Sequence, residues 1–223
     1  MTDNKRIELK AIFNSMDLWL IENWIYSKSK LLTLFPDRYI NNIYFETHDY
    51  SSASDNIYGI SKRTKVRLRW YGSSNIDNEF NGFLEFKRKN NNLGWKDQYR
   101  VKINKKNFNN FVFLKNKILG CIPLKNQIEF SNYNLPFILN GYRRKYFSTD
   151  DKNIRVTLDS SIKAFDQRWS NFVTKKNRIN LPSVNIIEFK FEEKFKEEAI
   201  QLIKLLPLRI SKYSKYTTST LHV

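Results

Sequence analysis

A chain of 223 residues with 39 lysines and arginines against 22 aspartates and glutamates has a formal net charge of +17. This balance points to an anionic partner: nucleic acid, a membrane surface or polyphosphate. Hydrophobic residues at 41% and aromatics at 15% are enough for a sizeable core and argue against wholesale disorder. Cys121 is the only cysteine and His48 and His222 the only histidines, which excludes an internal disulfide and any Cys- or His-based metal cluster.

The length suits a single domain over 1–223. Strand alternation starts at Arg6–Phe13, and Ser15 offers a cap for a helix over Met16–Lys28 with Trp19, Leu20, Trp24 and Ile25 apolar. Tyr39–Glu46 reads as a second strand, and Tyr50–Gly59 as a polar connector with one helical turn. Arg63–Tyr71 and Gly82–Lys89 form a hairpin around a Gly-Ser-Ser-Asn loop. A turn at 90–94 leads to a strand over Trp95–Ile103. Lys105–Leu119 has Phe108, Phe111, Val112, Ile118 and Leu119 at helical spacing. Leu139–Ser148 and Ile154–Asp159 pair through S-T-D-D-K-N, and Ser183–Phe191 is the last strand. Lys194–Leu206 reads as an amphipathic helix stopped by Pro207, followed by the tail R-I-S-K-Y-S-K-Y. About eight strands and three or four helices in mixed order predict an α+β fold. The five tryptophans sit mostly on apolar faces and are expected in the core. The N-terminus has no apolar signal region and no apolar run nears the roughly 20 residues of a membrane span, so the expected location is cytoplasmic.

The chemistry lies in the parity of the charges. Lys65, Arg67 and Arg69 alternate with Val66, Leu68 and Trp70, so the cations share one strand face and the apolar residues the other. Glu8 with Lys10, Glu85 with Lys87, Arg155 with Asp159, and Glu188 with Lys190 repeat the pattern. Any one such strand is ordinarily a half-solvated strand. The set, rich in arginine forks that match phosphate oxygens, fits a sheet face that holds a polyanion. The glutamates among the cations have two readings: metal ligands or salt-bridge partners for the neighbouring lysines. Only carboxylates are available for a metal, which points to Mn²⁺ or Mg²⁺. Asp159 is expected to orient Arg155, and Arg143 and Lys145 point the other way as surface charge.

The chain resembles the VTC domain, the polyphosphate polymerase branch of the triphosphate tunnel metalloenzymes. The motifs are R-I-E-L-K at 6–10, I-Y-F-E-T at 43–47, K-V-R-L-R-W-Y-G at 65–72, F-L-E-F-K at 83–87, G-Y-R-R-K-Y-F at 141–147, I-R-V-T-L-D at 154–159, I-I-E-F-K at 186–190 and R-I-S-K-Y at 209–213. No single motif is specific; their common order is. The resemblance implies a closed antiparallel eight-stranded β-barrel, a tunnel, with helices packed outside. It implies that Lys10, Arg67, Arg69, Lys87, Arg144 and Arg155 grip the triphosphate of ATP, with Tyr142 beside them. Ser211 and Lys212 of the tail would close over the phosphates, and Lys65, Lys190 and Arg209 complete the substrate-binding candidates. Glu188 is the first candidate for the divalent metal, followed by Glu8 and Glu85. Two positions depart from the pattern: Arg6 stands where the wider superfamily has a glutamate, which favours the VTC branch, and Arg209 stands where the tail often has lysine. The implied reaction moves the γ-phosphate of ATP to a growing polyphosphate chain and releases ADP. Nucleic acid is not an expected partner. In eukaryotes the family's domain is tethered to membrane segments, which leaves room here for a separate membrane partner. Two other readings compete: a metal-dependent tripolyphosphatase or nucleoside triphosphatase of the same fold, and a non-catalytic barrel that binds polyphosphate or nucleic acid.

Overall fold

The computed structural model describes residues 6–72, 79–91 and 93–223, without the side chains of Arg6 and Lys28. Most of the expected Gly-Ser-Ser-Asn loop and one residue of the 90–94 turn therefore lie outside the described residues. In chain order the elements are β1 (Arg6–Asn14), α1 (Leu18–Asn23), β2 (Leu32–Glu46), α2 (Ser51–Ile57), β3 (Lys62–Tyr71), β4 (Phe80–Asn90) and β5 (Leu93–Ile103). Then come α3 (Lys105–Phe108), α4 (Phe111–Leu119), α5 (Leu124–Asn132), β6 (Leu135–Ser148), β7 (Arg155–Asp166), β8 (Arg178–Ile179), β9 (Val184–Glu192), α6 (Lys196–Lys204), β10 (Ile210–Ser211) and α7 (Lys215–Leu221). The strands pair in the order β10-β1-β9-β7-β6-β2-β3-β4-β5, with β8 on β7. The fold is α+β with a large antiparallel sheet, as expected. The expected closure is not made by hydrogen bonds: β5 and β10 end the order and do not pair with each other among the described residues.

The chain divides into two compact units. The first comprises Met1–Tyr39, Tyr142–Ile162 and Pro182–Ser214. Here Ala11, Phe13, Val156, Leu158, Ile187 and Phe189 turn one strand face into a core, closed by Ile21, Trp24 and Ile25 from the first helical segment and by Ala199 and Leu206 around α6. The expected helix over Met16–Lys28 is a 3₁₀ turn at Ser15–Asp17, then α1, then a π-helical turn at Trp24–Lys28. Ile21, Trp24 and Ile25 follow the i, i+3, i+4 rule and face inward, which leaves Trp19 68% and Leu20 39% exposed on the other side.

The second unit comprises Ile40–Gly141, Lys163–Leu181 and Lys215–Val223. Val66, Leu68, Trp70, Leu84, Phe86, Val101 and Ile103 face a core covered by Phe108, Phe111, Leu114, Ile118 and Phe130 of α3, α4 and α5. At Gly82 the backbone passes close to this core: a Cβ would lie 2.8 Å from Ile103 Cδ1 and 3.2 Å from Leu68 Cδ1, so those side chains would have to shift. The single helix expected over Lys105–Leu119 is broken in two by asparagines. Asn104 and Asn107 form a reciprocal cap on α3, and Asn110 Oδ1 accepts from Val112 N at 2.7 Å to start α4. Val112, expected on the apolar stripe, is consequently exposed. The tail carries a helix that the sequence reading lacked: α7 buries Tyr216 in a second cluster with Tyr44, Phe137 and Ile138.

The expectation that the tryptophans are core residues holds for Trp24 and Trp70 and fails for Trp19, Trp95 and Trp169. Trp95 has the apolar parity of β5, but at a strand end beyond the helical cover. Trp169 sits in the loop after β7, with the Arg168 guanidinium 5.7 Å from its ring centroid.

Candidate functional site

Midway along these strands both faces are removed from water, and that is the main departure from a half-solvated sheet. Val66, Leu68 and Phe86 are buried as any core residue is, yet Arg67, on the opposite face, is only 8% exposed, and Glu85 only 1%.

In the second unit the register sets Tyr44, Arg67, Glu85 and Gln98 in one cross-strand row, and Asn42, Arg69, Phe83 and Arg100 in the next. Directly opposed residues share a face. Arg67 donates from Nε to Glu85 Oε2 at 2.7 Å and from Nη1 to the Tyr44 hydroxyl at 3.2 Å. Its Nη2 lies 2.6 Å from Glu85 Oε2, and Arg69 Nη1 is 4.0 Å away. Lys96 donates to the other oxygen, Oε1, at 2.9 Å. Burial alone would raise the pKa of Glu85; Arg67, then Arg69 and Lys96, override it and hold the carboxyl well below its usual range. Arg69 donates from Nε to Asn42 Oδ1, and Asn42 in turn donates to Asn140 Oδ1 at 2.8 Å. Lys65, Lys87 and Lys96 form a third row, in which Lys87 is exposed and Lys65 stands 5.1 Å from the Tyr216 ring centroid.

In the first unit Ser211, Lys10, Glu188 and Thr157 form one row, and Glu8, Lys190 and Arg155 the next. Lys10 Nζ is 2.5 Å from Glu8 Oε1 and 3.7 Å from Glu188 Oε2. Lys190 pairs with Glu188 Oε1 and lies 3.6 Å from Glu8 Oε2. Lys10 also donates to the Tyr213 carbonyl of the tail at 3.2 Å. Burial would raise the pKa of Glu188; Lys190, Lys10 and Arg144 push it well below the usual carboxylate range. Burial would lower that of Lys10, and Glu188 and Glu8 outweigh it. Arg144 donates from Nε and Nη2 to the two oxygens of fully buried Asp159 at 2.5 and 2.6 Å, and its guanidinium stands 5.3 Å from the Tyr142 ring centroid.

The structure thus brings Glu8, Lys10, Arg155, Glu188 and Lys190 together on adjacent rows, with Ser211 beside Lys10. Arg67, Arg69 and Glu85 form a separate group in the other unit. Lys212 and Arg209 are exposed. Asp159 holds Arg144, not Arg155 as expected: cross-strand neighbours decide the partner, and alternation along one strand does not reveal them. Arg143 and Lys145 have the opposite parity, as expected; Arg143 pairs with Asp37 at the surface, whereas Lys145 pairs with Glu22 and is only partly exposed. The sequence reading missed Tyr44, Asn42 and Asn140, which brace the arginines, and Lys96. The last was legible: Lys96, Gln98, Arg100 and Lys102 alternate along β5 as the charges of β3 do.

Among the described residues no group of three or more His, Cys, Asp or Glu could hold a metal by itself. Glu85 is enclosed by cations, which matches its salt-bridge reading. Glu8 and Glu188 converge on Lys10 and Lys190, and the buried hydroxyl of Thr157, opposite Glu188, has no hydrogen-bond partner among the described residues. One or two carboxylates with an orphaned hydroxyl fit Mg²⁺ or Mn²⁺, which take their remaining ligands from water and substrate phosphates.

Comparison with protein families matches the VTC domain over residues 5–223. Comparison with curated proteins finds no match. Among solved structures, one from Vibrio parahaemolyticus, described as a candidate adenylate cyclase, is 13% identical with a TM-score of 0.50 and covers 95% of this chain and 95% of its own. It is similar in fold. A chain of the Schizosaccharomyces pombe Mediator head module, 9% identical over 92% of this chain and 96% of that one, reaches a TM-score of 0.48 and carries no weight. No helix among the described residues is long and apolar enough to cross a membrane.

Proposed function

The chain belongs to the VTC-domain family, and from that premise we propose that it is a polyphosphate polymerase, transferring the γ-phosphate of ATP to the end of a growing polyphosphate chain with release of ADP. The reading includes the closed triphosphate tunnel that the sequence resemblance implies. The observation that carries it is the burial of paired charge: Arg67 with Glu85 in one unit, and Arg144 with Asp159 in the other, lie on strand faces withdrawn from water. Phosphoryl transfer needs many oxygens neutralised and held in line more than it needs a covalent nucleophile. Lys10, Lys190, Arg144 and Arg155 in one unit, and Arg67 and Arg69 in the other, are the proposed phosphate-gripping groups. Bound divalent metal would be held by Glu188 and Glu8 and would supply charge neutralisation across phosphate oxygens. Asp159 fixes the fork of Arg144, and Glu85 that of Arg67, so little reorganisation is needed as charge develops. Where the charged rows are buried, as around Arg67 and Arg144, water is disfavoured as acceptor and a phosphate acceptor is favoured.

The test is incubation with ATP and Mn²⁺ followed by gel separation. The expected products are ADP and a ladder of long polyphosphate with little free phosphate. Free phosphate as main product, with tripolyphosphate consumed faster than ATP, would make the protein a tripolyphosphatase. Tight triphosphate binding without turnover would make it a binding barrel.

A further inference from the structure

The first unit contains a cavity of about 320 Å³ whose polar end, Arg155 and Lys190, belongs to the proposed phosphate-gripping groups and whose aromatic walls have no part in the proposed transfer chemistry. It lies at the outer end of the charged rows. One wall is Leu34 and Phe35 of β2, another is Phe191 and Phe195, and the polar end is formed by Arg155 and Lys190. The volume falls at the low end of small-molecule pockets, which are mostly apolar with a few polar groups that fix orientation. Three features set it apart from a gap in the surface. Phe35 is 46% exposed, although it is backed by Tyr146 in an edge contact at 5.8 Å and by Arg38 at 5.5 Å, so its ring is held and still accessible. Arg155 is exposed and has no side-chain partner among the described residues, so its guanidinium is available to an anion. Glu192, a carboxylate at the rim, lies 3.3 Å from Lys194, which offsets its repulsion of an anion.

A ligand matching this cavity is flat and apolar at one end and anionic at the other. The cross-strand register continues the anionic end inward. Arg155 and Lys190 stand in one row, and Lys10 and Glu188 in the next, about 7 Å farther along the strand. We propose that this cavity receives the nucleoside of the substrate, with the base against Phe35 and Phe195 and the phosphates entering past Arg155 and Lys190 toward Lys10 and Arg144. The assignment rests on the polymerase reading and adds to it the place where the donor nucleotide is distinguished from polyphosphate itself. A polyphosphate has no base to seat, so the aromatic walls contribute to ATP binding alone.

Binding of ATP and of inorganic tripolyphosphate is measured by calorimetry, with Mn²⁺ present, for the wild type, Phe35→Ala, Phe195→Ala and Arg155→Ala. Base–aromatic stacking lost on alanine substitution corresponds to a weakening of roughly 5- to 150-fold. Phe35→Ala is expected to weaken ATP by a factor in that range and leave tripolyphosphate within about twofold, whereas Arg155→Ala weakens both. Phe35 is half exposed, so its variant keeps the fold; Phe35→Tyr should restore ATP binding. Photolabelling with 8-azido-ATP should mark the peptide containing Phe35 or the one containing Phe195. If the wild type binds both ligands and neither phenylalanine variant changes their ratio, the nucleoside site is wrong and the polymerase reading stands. If the wild type binds neither ligand, both fall.

Discussion

Asp159→Asn tests whether the charged face was built around paired burial. Asp159 is fully buried, and the Arg144 side chain is 11% exposed, so the pair has little water to fall back on. Two short charge-assisted bonds disappear as a charged pair, and a guanidinium is left with a neutral neighbour. Opposite charges about 4 Å apart attract by about 4 kcal/mol at an effective dielectric of about 20, and breaking a buried pair by removing one partner costs about 3–5 kcal/mol. Glu188 also acts on Arg144, so the lower end, about 3 kcal/mol, is expected. With a urea slope of about 2–3 kcal/mol/M, the unfolding midpoint should fall by about 1–1.5 M. The same titration with saturating tripolyphosphate should recover more stability for the variant than for the wild type, because the anion supplies the missing countercharge to Arg144. A midpoint within about 0.3 M of wild type would show that Arg144 is solvated in practice and that the dry charged face is an incorrect description.

Glu188→Gln keeps the shape and removes the charge; ATP should still bind, while Mn²⁺-dependent turnover collapses, and unchanged turnover at saturating Mn²⁺ would return Glu188 to a salt-bridge role alone. Arg144→Ala should weaken tripolyphosphate binding by about 1.5–3 kcal/mol, whereas Arg143→Ala, exposed beside Asp37, should stay within about 0.5, and equal losses in calorimetry would mean a diffuse basic surface. The Glu85 carboxyl is held well below the usual carboxylate range, so the stability it contributes is present at pH values above that range and is lost as pH falls below it. Thermal unfolding from pH 7 to pH 3 should therefore show an acid limb that is shallower in Glu85→Gln; an unaltered limb would assign acid lability to other carboxylates.

The alternation of charge along β1, β3, β4 and β9 was legible because a strand's period is two and parity is all that it needs. The same parity separated Arg144 from Arg143 without any knowledge of neighbours. Partner choice was not legible. Asp159 meets Arg144 and Glu85 meets Lys96 through cross-strand register, which depends on turns and on strands far apart in sequence. The split of Lys105–Leu119 was hidden because the apolar spacing continues across Asn109 and Asn110, where capping decides. Trp19 shows that an apolar residue in a helical pattern need not lie on its buried stripe: Ile21, Trp24 and Ile25 occupy it instead. The tail helix was missed because its one core residue, Tyr216, is flanked by polar residues, and its hydroxyl is placed by a bond to buried Glu46.

Under the polymerase reading, the carboxylates threaded among these cations also govern departure. An arginine with no internal partner would hold a polyanion until some other anion displaced it. Within the first unit, Arg144 and Lys10 each have a carboxylate partner at hand, so a phosphate that leaves either of them uncovers a charge already countered by Asp159 or Glu8. The release barrier is lowered at each position separately. On that reading a polyanion leaves this unit in small steps, as ions leave a pore of many weak sites.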